Sequence, residues 1–179
     1  LQGDNPTCPP SFIIDLIQKL KDNPDSDVAT VCTRLSWKSL GELRAKKFDP
    51  ETKFSGTTVI VNQNHEAIWF SKNIIPAIKH EIALIQGNSP CPVLRHIGLY
   101  AYRRQALLNF VSMPKGYYEG LEELEQLRFL ENGYKIRVIE RRYPEGYDQC
   151  MSGIDSPKDL KHVEKIISQY GELLLTPKE

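Results

Sequence analysis

The chain has 179 residues, 40% of them hydrophobic, with 23 Lys plus Arg set against 23 Asp plus Glu. That length and apolar content suffice for one buried core and a single domain, while the balanced charge excludes a field of one sign, so neither nucleic acid nor a membrane surface is an expected partner. No apolar run approaches the ~20 residues of a membrane span and no charged and apolar leader opens the chain, so a cytoplasmic protein is expected.

Leu1 followed by Gln2-Gly3-Asp4-Asn5-Pro6 reads as the end of a buried strand running into a turn, with the earlier part of that strand lying outside this sequence. From Pro10 to Asp22, Phe12, Ile13, Leu16, Ile17 and Leu20 recur at helical spacing, with Pro at the first helical position where its missing N–H costs nothing. Val28 to Leu35 is β-branched enough for a strand, and Trp37, Leu40 and Leu43 place a short helix over Ser36 to Lys46, followed by a polar loop to Gly56. Thr57 to Val61 and Ala67 to Phe70 flank a polar five-residue loop and predict a hairpin.

Val93 to Tyr102 predicts a further strand, and Arg103 to Val111 a helix. Glu119 to Asn132 reads as one helix with an inward stripe of Leu121, Leu124, Leu127 and Leu130 and a solvated acidic face. Lys135 to Ile139 is a strand, Tyr143 to Ser152 a loop, and Ser156 opens a final helix with Ile166 and Ile167 inward. Strands alternating with helices, without repeats or linkers, give one compact α/β layered unit.

The four cysteines, Cys8, Cys32, Cys91 and Cys150, form no C-x-x-C pair, which argues for reduced thiols rather than a zinc or redox motif. Phosphate-loop, dinucleotide-binding, hydrolase-elbow and zincin motifs are missing. Asp4 stands just past a strand end, where α/β folds bind ligands, and Asp155 stands in a similar turn before a helix; two such carboxylates suit Mg²⁺, although a turn or capping role serves each equally well. His96 shares a strand face with Gly98, Tyr100 and Tyr102, either lining a pocket or satisfied on a half-buried strand. His65, His80 and His162 read as surface histidines, and Arg137, Arg141 and Arg142 as a solvated sheet edge.

Taken together and in order, Leu1 to Pro6, Arg95 to Tyr102, Leu124-Glu125-Gln126-Leu127-Arg128 and Gly153-Ile154-Asp155-Ser156-Pro157-Lys158-Asp159-Leu160 resemble the 3-deoxy-manno-octulosonate cytidylyltransferases, the CMP-KDO synthetases, as far as about Ile167. The resemblance implies a nucleotidyltransferase fold, a Rossmann-like mixed sheet with flanking helices, here without its first βα units. It implies Mg²⁺-dependent transfer of CMP from CTP to the acid sugar KDO with release of pyrophosphate, feeding lipopolysaccharide assembly. Asp4 and Asp155 match the family's metal-binding aspartates, and His96, Tyr100, Glu125 and Gln126 match positions that contact the sugar, with Gln2 beside them. A homodimer, in which Trp69 and Tyr102 meet partner residues, is also implied.

Five departures matter. The family's Gly-Lys-containing CTP loop would precede Leu1. Phe70-Ser71-Lys72 stands where the family has Phe-Ser-Arg, and Ala77-Ile78-Lys79-His80 stands where a further Arg is usual. Lys does not reproduce a bidentate grip on a carboxylate, so Lys72 would contact the sugar differently. Asn5 replaces a glutamate and Thr58 a lysine. They raise two alternatives, a catalytically degenerate binding or dimerisation module and a transferase for another acidic acceptor such as a phosphonate, and on either account this chain alone is expected to be a poor catalyst.

Overall fold

The computed structural model describes residues 5–144, 146–147, 153–154 and 157–173. Helix α1 (Pro10–Asp22) buries Phe12, Leu16 and Leu20 and starts with Pro at N1, as its spacing predicts. Strand β1 (Val28–Arg34) is buried on both sides along all but its last residue, and helix α2 (Trp37–Phe48) begins at Ser36, whose hydroxyl accepts the Ser39 N–H at 3.0 Å. Strands β2 (Thr58–Val61) and β3 (Ala67–Ser71) form the expected hairpin. The short α3 (Glu81–Gln86) has no counterpart in the sequence reading, because six residues are too few to show helical periodicity, and none of them is buried.

Next come β4 (Leu94–Tyr102), α4 (Arg104–Ser112), α5 (Tyr117–Glu122), α6 (Gln126–Glu131), β5 (Ile136–Glu140) and α7 (Pro157–Tyr170). The five strands make one mixed sheet in the order β3-β2-β4-β1-β5, with β1 parallel to β5 and the other pairs antiparallel. The α/β fold with flanking helices is therefore as expected.

Four expectations are corrected. The single helix from Glu119 to Asn132 is two, because Glu123 turns into the left-handed region at φ 51° and ends α5. The acids expected on a solvated face instead satisfy tertiary donors. Glu119 is buried and grips Arg128 through two bonds of 2.8 and 2.6 Å, while Glu131 accepts the Tyr118 and Glu119 N–H groups at the start of α5. The turn also rotates Leu121 outward, leaving it 65% exposed, while Leu124 and Leu127 stay buried. Finally, Arg137 is no solvated edge residue: it is buried and donates to the Ser26 hydroxyl and the Asn64 carbonyl, and Arg141 pairs with Asp15 at 2.6 Å.

Helices lie on both faces of the sheet. On one, Phe12, Leu16 and Leu20 of α1 and Val163 and Ile166 of α7 pack on Ala29, Val31, Ile97, Leu99 and Ile139. On the other, Leu124, Leu127 and Phe129 cover Val28, Cys32, Val59, Phe70, Leu94 and Val138. Cys8, Cys32 and Cys91 are buried free thiols, and Cys150 lies outside the described residues. No helix among the described residues is long and apolar enough to cross a membrane.

Candidate active site

The polar groups of the second face gather along β4. Alternation along the strand turns His96, Tyr100 and Tyr102 toward α5 and α6. The His96 ring lies 4.9 Å edge-on from Phe70 and 5.3 Å from Tyr100. Tyr100 stacks on Tyr102 at 5.7 Å, and Tyr102 stacks on Phe129 of α6 at 5.7 Å. His96 is buried, and burial alone holds its imidazole down at about 3, so it is neutral at physiological pH. Its Nε2 sits 2.9 Å from the hydroxyl of Thr30, a fully buried residue of β1.

Glu125 and Gln126 arrive at this face because α5 stops at Glu123 and α6 restarts beside it. The Glu125 carboxylate lies close enough to Tyr100 and Tyr102 to raise both phenols; burial is the larger cause, and Tyr102 is pushed up to about 12. Gln126 is buried and its Nε2 has no hydrogen-bond partner among the described residues. A buried amide donor without an acceptor costs ~1–3 kcal/mol. An open depression of about 250 Å³ is lined by Lys115, Glu119, Glu123 and Glu125. A larger hollow of about 350 Å³ lies away from these residues, between Pro6 and Thr7 and the end of α7.

Lys72 follows β3, whose Ser71 pairs across Thr58 of β2 toward Arg95 of β4. Its main chain is pinned: the N–H donates to Glu122 at 2.6 Å, and the carbonyl accepts from the Lys47 ammonium. Lys47 also donates to the Ser55 and Gly56 carbonyls. Burial, with repulsion from Lys72 and Arg95, lowers Lys47 to about 8, which marks a cationic corner next to Phe70. Thr58, where the resembling family has Lys, is occupied structurally, donating to the Asn73 carbonyl at 2.7 Å and accepting the Ile75 N–H at 3.1 Å.

The structure thus brings His96, Tyr100 and Glu125 to one face, with Gln126 buried next to Glu125 in the chain and Lys72 at the end of β3, two strands from β4. Gln2, Asp4 and Asp155, the last two expected to hold Mg²⁺, lie outside the described residues. Among the described residues no three His, Cys, Asp or Glu side chains cluster as a metal site. Trp69 and Tyr102, expected to meet a partner subunit, both have ring contacts within the chain, Trp69 with Tyr118 at 5.2 Å. Sequence reasoning missed Thr30, Glu122 and the Glu119–Arg128 pair. A Thr inside a β-branched run announces nothing beyond strand propensity, and the two glutamates sat in an acidic stretch that read as solvated.

The fold and this face can be compared with known proteins. A model of the family described as cytidylyltransferase matches residues 1–136. This chain belongs to the cytidylyltransferase family. The 3-deoxy-manno-octulosonate cytidylyltransferase of Maricaulis maris is 37% identical over 174 residues, covering 97% of this chain and 63% of that protein. The Escherichia coli protein of the same name is 32% identical over 169 residues, covering 94% of this chain and 59% of its own length. A solved structure of CMP:2-keto-3-deoxy-manno-octonic acid synthetase complexed with CTP superposes with a TM-score of 0.73 at 32% identity, covering 94% of this chain and 60% of that one. The chain spans about three fifths of the length of the relatives it matches. Among the described residues of this chain, Gln126 of α6 carries a buried amide donor without an acceptor.

Proposed function

We propose that this chain serves a cytidylyltransferase that transfers CMP from CTP to KDO or a closely related acidic sugar. The sugar's anomeric oxygen bonds to the α-phosphorus, the bond to pyrophosphate breaks, and the hydroxyl proton leaves to solvent. The observation that carries this reading is the buried Gln126 Nε2 without an acceptor among the described residues, on the sheet face where a neutral His96 packs against the Tyr100 ring. The amide, imidazole and phenol groups, with the Glu125 carboxylate beside the phenols, suit the hydroxyls of a polyol. Lys72, in a cationic corner two strands away, supplies a point charge for the sugar carboxylate. Lys72 rather than Arg, with Thr58 committed to the turn after β3, favours a sugar related to KDO as much as KDO itself.

Asp4 and Asp155 would hold Mg²⁺, a hard cation suited to carboxylates and triphosphate oxygens, whose role is to neutralise the departing pyrophosphate. The activated sugar would enter surface-glycan synthesis such as lipopolysaccharide, the reaction would run in the cytosol, and the protein would work as a homodimer. Pyrophosphate release by the native protein with CTP, Mg²⁺ and KDO tests the reading. Asp155→Asn should slow release by about a thousandfold with little change in fold. No release with KDO or any other acidic sugar, at any Mg²⁺ concentration, would mean a binding module instead. Light scattering tests the dimer, which a monomer at micromolar concentration would refute.

A further inference from the structure

The pairing of β1 with β4 slips where Thr30 faces Tyr100 but Val31 already faces Ile97, so Gly98 and Leu99 are extra residues on β4. The bulge turns main-chain carbonyls toward Thr30: its Oγ1 lies 2.8 Å from the Leu99 carbonyl oxygen and 3.4 Å from that of Ile97. On the same oxygen, at 2.9 Å, sits Nε2 of His96. A carbonyl can only accept, and a hydroxyl has one proton to give. The proton goes to Leu99, the shorter contact, so the hydroxyl must accept from His96.

Resting on the reading that His96 meets the sugar, we infer that Thr30 is a positioning residue that holds His96 as the Nε2–H tautomer, leaving Nδ1 as a fixed acceptor for a sugar hydroxyl. Nothing nearby competes for that role. Nδ1 has no hydrogen-bond partner among the described residues. Phe70 offers only its ring, and Cys32, opposite His96 in the β1 register, is a thiol whose burial pushes it up to about 12. Tyr100 and Tyr102 stay protonated at physiological pH, Glu125 lies near both phenols, and Glu119 and Glu122 are engaged by Arg128 and by Ser71 and the Lys72 N–H. The consequence for specificity is that His96 selects a hydroxyl donor at this point of the substrate and disfavours a carboxylate, which would need an imidazolium.

Histidine-labelled native protein tests this through long-range ¹H–¹⁵N correlation spectra. His96 should show a protonated Nε2 and an unprotonated Nδ1 from about pH 6 to 8. Thr30→Val, which removes the hydroxyl at nearly constant shape, should lose that pattern and raise KM for the acid sugar about tenfold, roughly one hydrogen bond, with KM for CTP unchanged. Thr30→Ser should restore both. A protonated Nδ1 in the native protein, or a Thr30→Val protein with unchanged spectra and KM, overturns the assignment. If Thr30→Val does not fold, the native and Thr30→Ser spectra still decide. Should the tautomer be as stated while His96→Gln leaves KM for every acid sugar unchanged, the sugar-site reading fails and the tautomer assignment stands.

Discussion

The same strands present two different faces. Under α1 and α7 the sheet shows aliphatic side chains, Ala29, Val31, Ile97, Leu99 and Ile139, to two helices of 13 and 14 residues. Under α5 and α6 it shows Thr30, His96, Tyr100 and Tyr102 to two helices of six residues each, pinned by Glu119–Arg128 and by Glu122 on Ser71 and Lys72. One face is filled by the chain's own side chains. The other retains a buried donor on Gln126 with no acceptor among the described residues. The lesson is that long helices supply stability, whereas short ones, stopped by a left-handed residue, bring Glu125 and Gln126 end-on to a strand.

The contrast can be broken by substitution. Arg128→Leu should cost about 3 kcal/mol in urea unfolding, because it strands the buried Glu119 carboxylate, and KM for the sugar should rise with it as Glu125 and Gln126 lose their support. Leu16→Ala, on the other face, should cost a similar ~2–4 kcal/mol through the cavity it leaves, with KM for both substrates unchanged in the folded protein. If Leu16→Ala altered KM selectively, the division of labour between the faces would be wrong.

Acid should reach the two faces unequally. His96 is held well below its ordinary value of 6.5, so below pH 6.5 the unfolded chain takes up a proton that the folded chain refuses. Stability is therefore fully present above about pH 6.5 and falls by up to ~1.4 kcal/mol per pH unit toward pH 3. His96→Gln should flatten that slope in stepped-pH urea titrations. Gln126→Leu should gain about 1 kcal/mol by removing the unpaired donor, yet raise KM for the acid sugar at least about tenfold. A loss of stability instead would show that Gln126 already has a partner. Smallest of all, Asp15→Asn should cost less than about 0.5 kcal/mol, since its bond to Arg141 is half-exposed.

Much of the frame could be read from the chain. The span Pro10–Asp22 is the helix its periodicity predicts, and the hairpin and β4 lie where β-branched runs place them. The face shared by His96, Tyr100 and Tyr102 followed from alternation alone. The break at Glu123 did not, because a left-handed Glu has no local signature and the leucine stripe runs straight through it. That Glu125 and Gln126 belong to the same face came from resemblance, since only tertiary folding brings α6 onto β4. Thr30 was invisible for the opposite reason: its residue type fits a strand so well that a buried hydroxyl draws no notice.

The central position of β1 bears on how the chain is made. Its parallel neighbour β5 comes late: the bond from the Lys135 N–H to the Asp27 carboxylate, at the start of this pairing, joins residues 108 apart. During synthesis β1 therefore waits, with one of its hydrogen-bonding edges open, until β5 has left the ribosome. Such distant pairing slows folding and exposes nascent chains to edge-to-edge association. Yield in cells should thus respond to chaperones and to growth temperature more than the finished protein's stability would suggest.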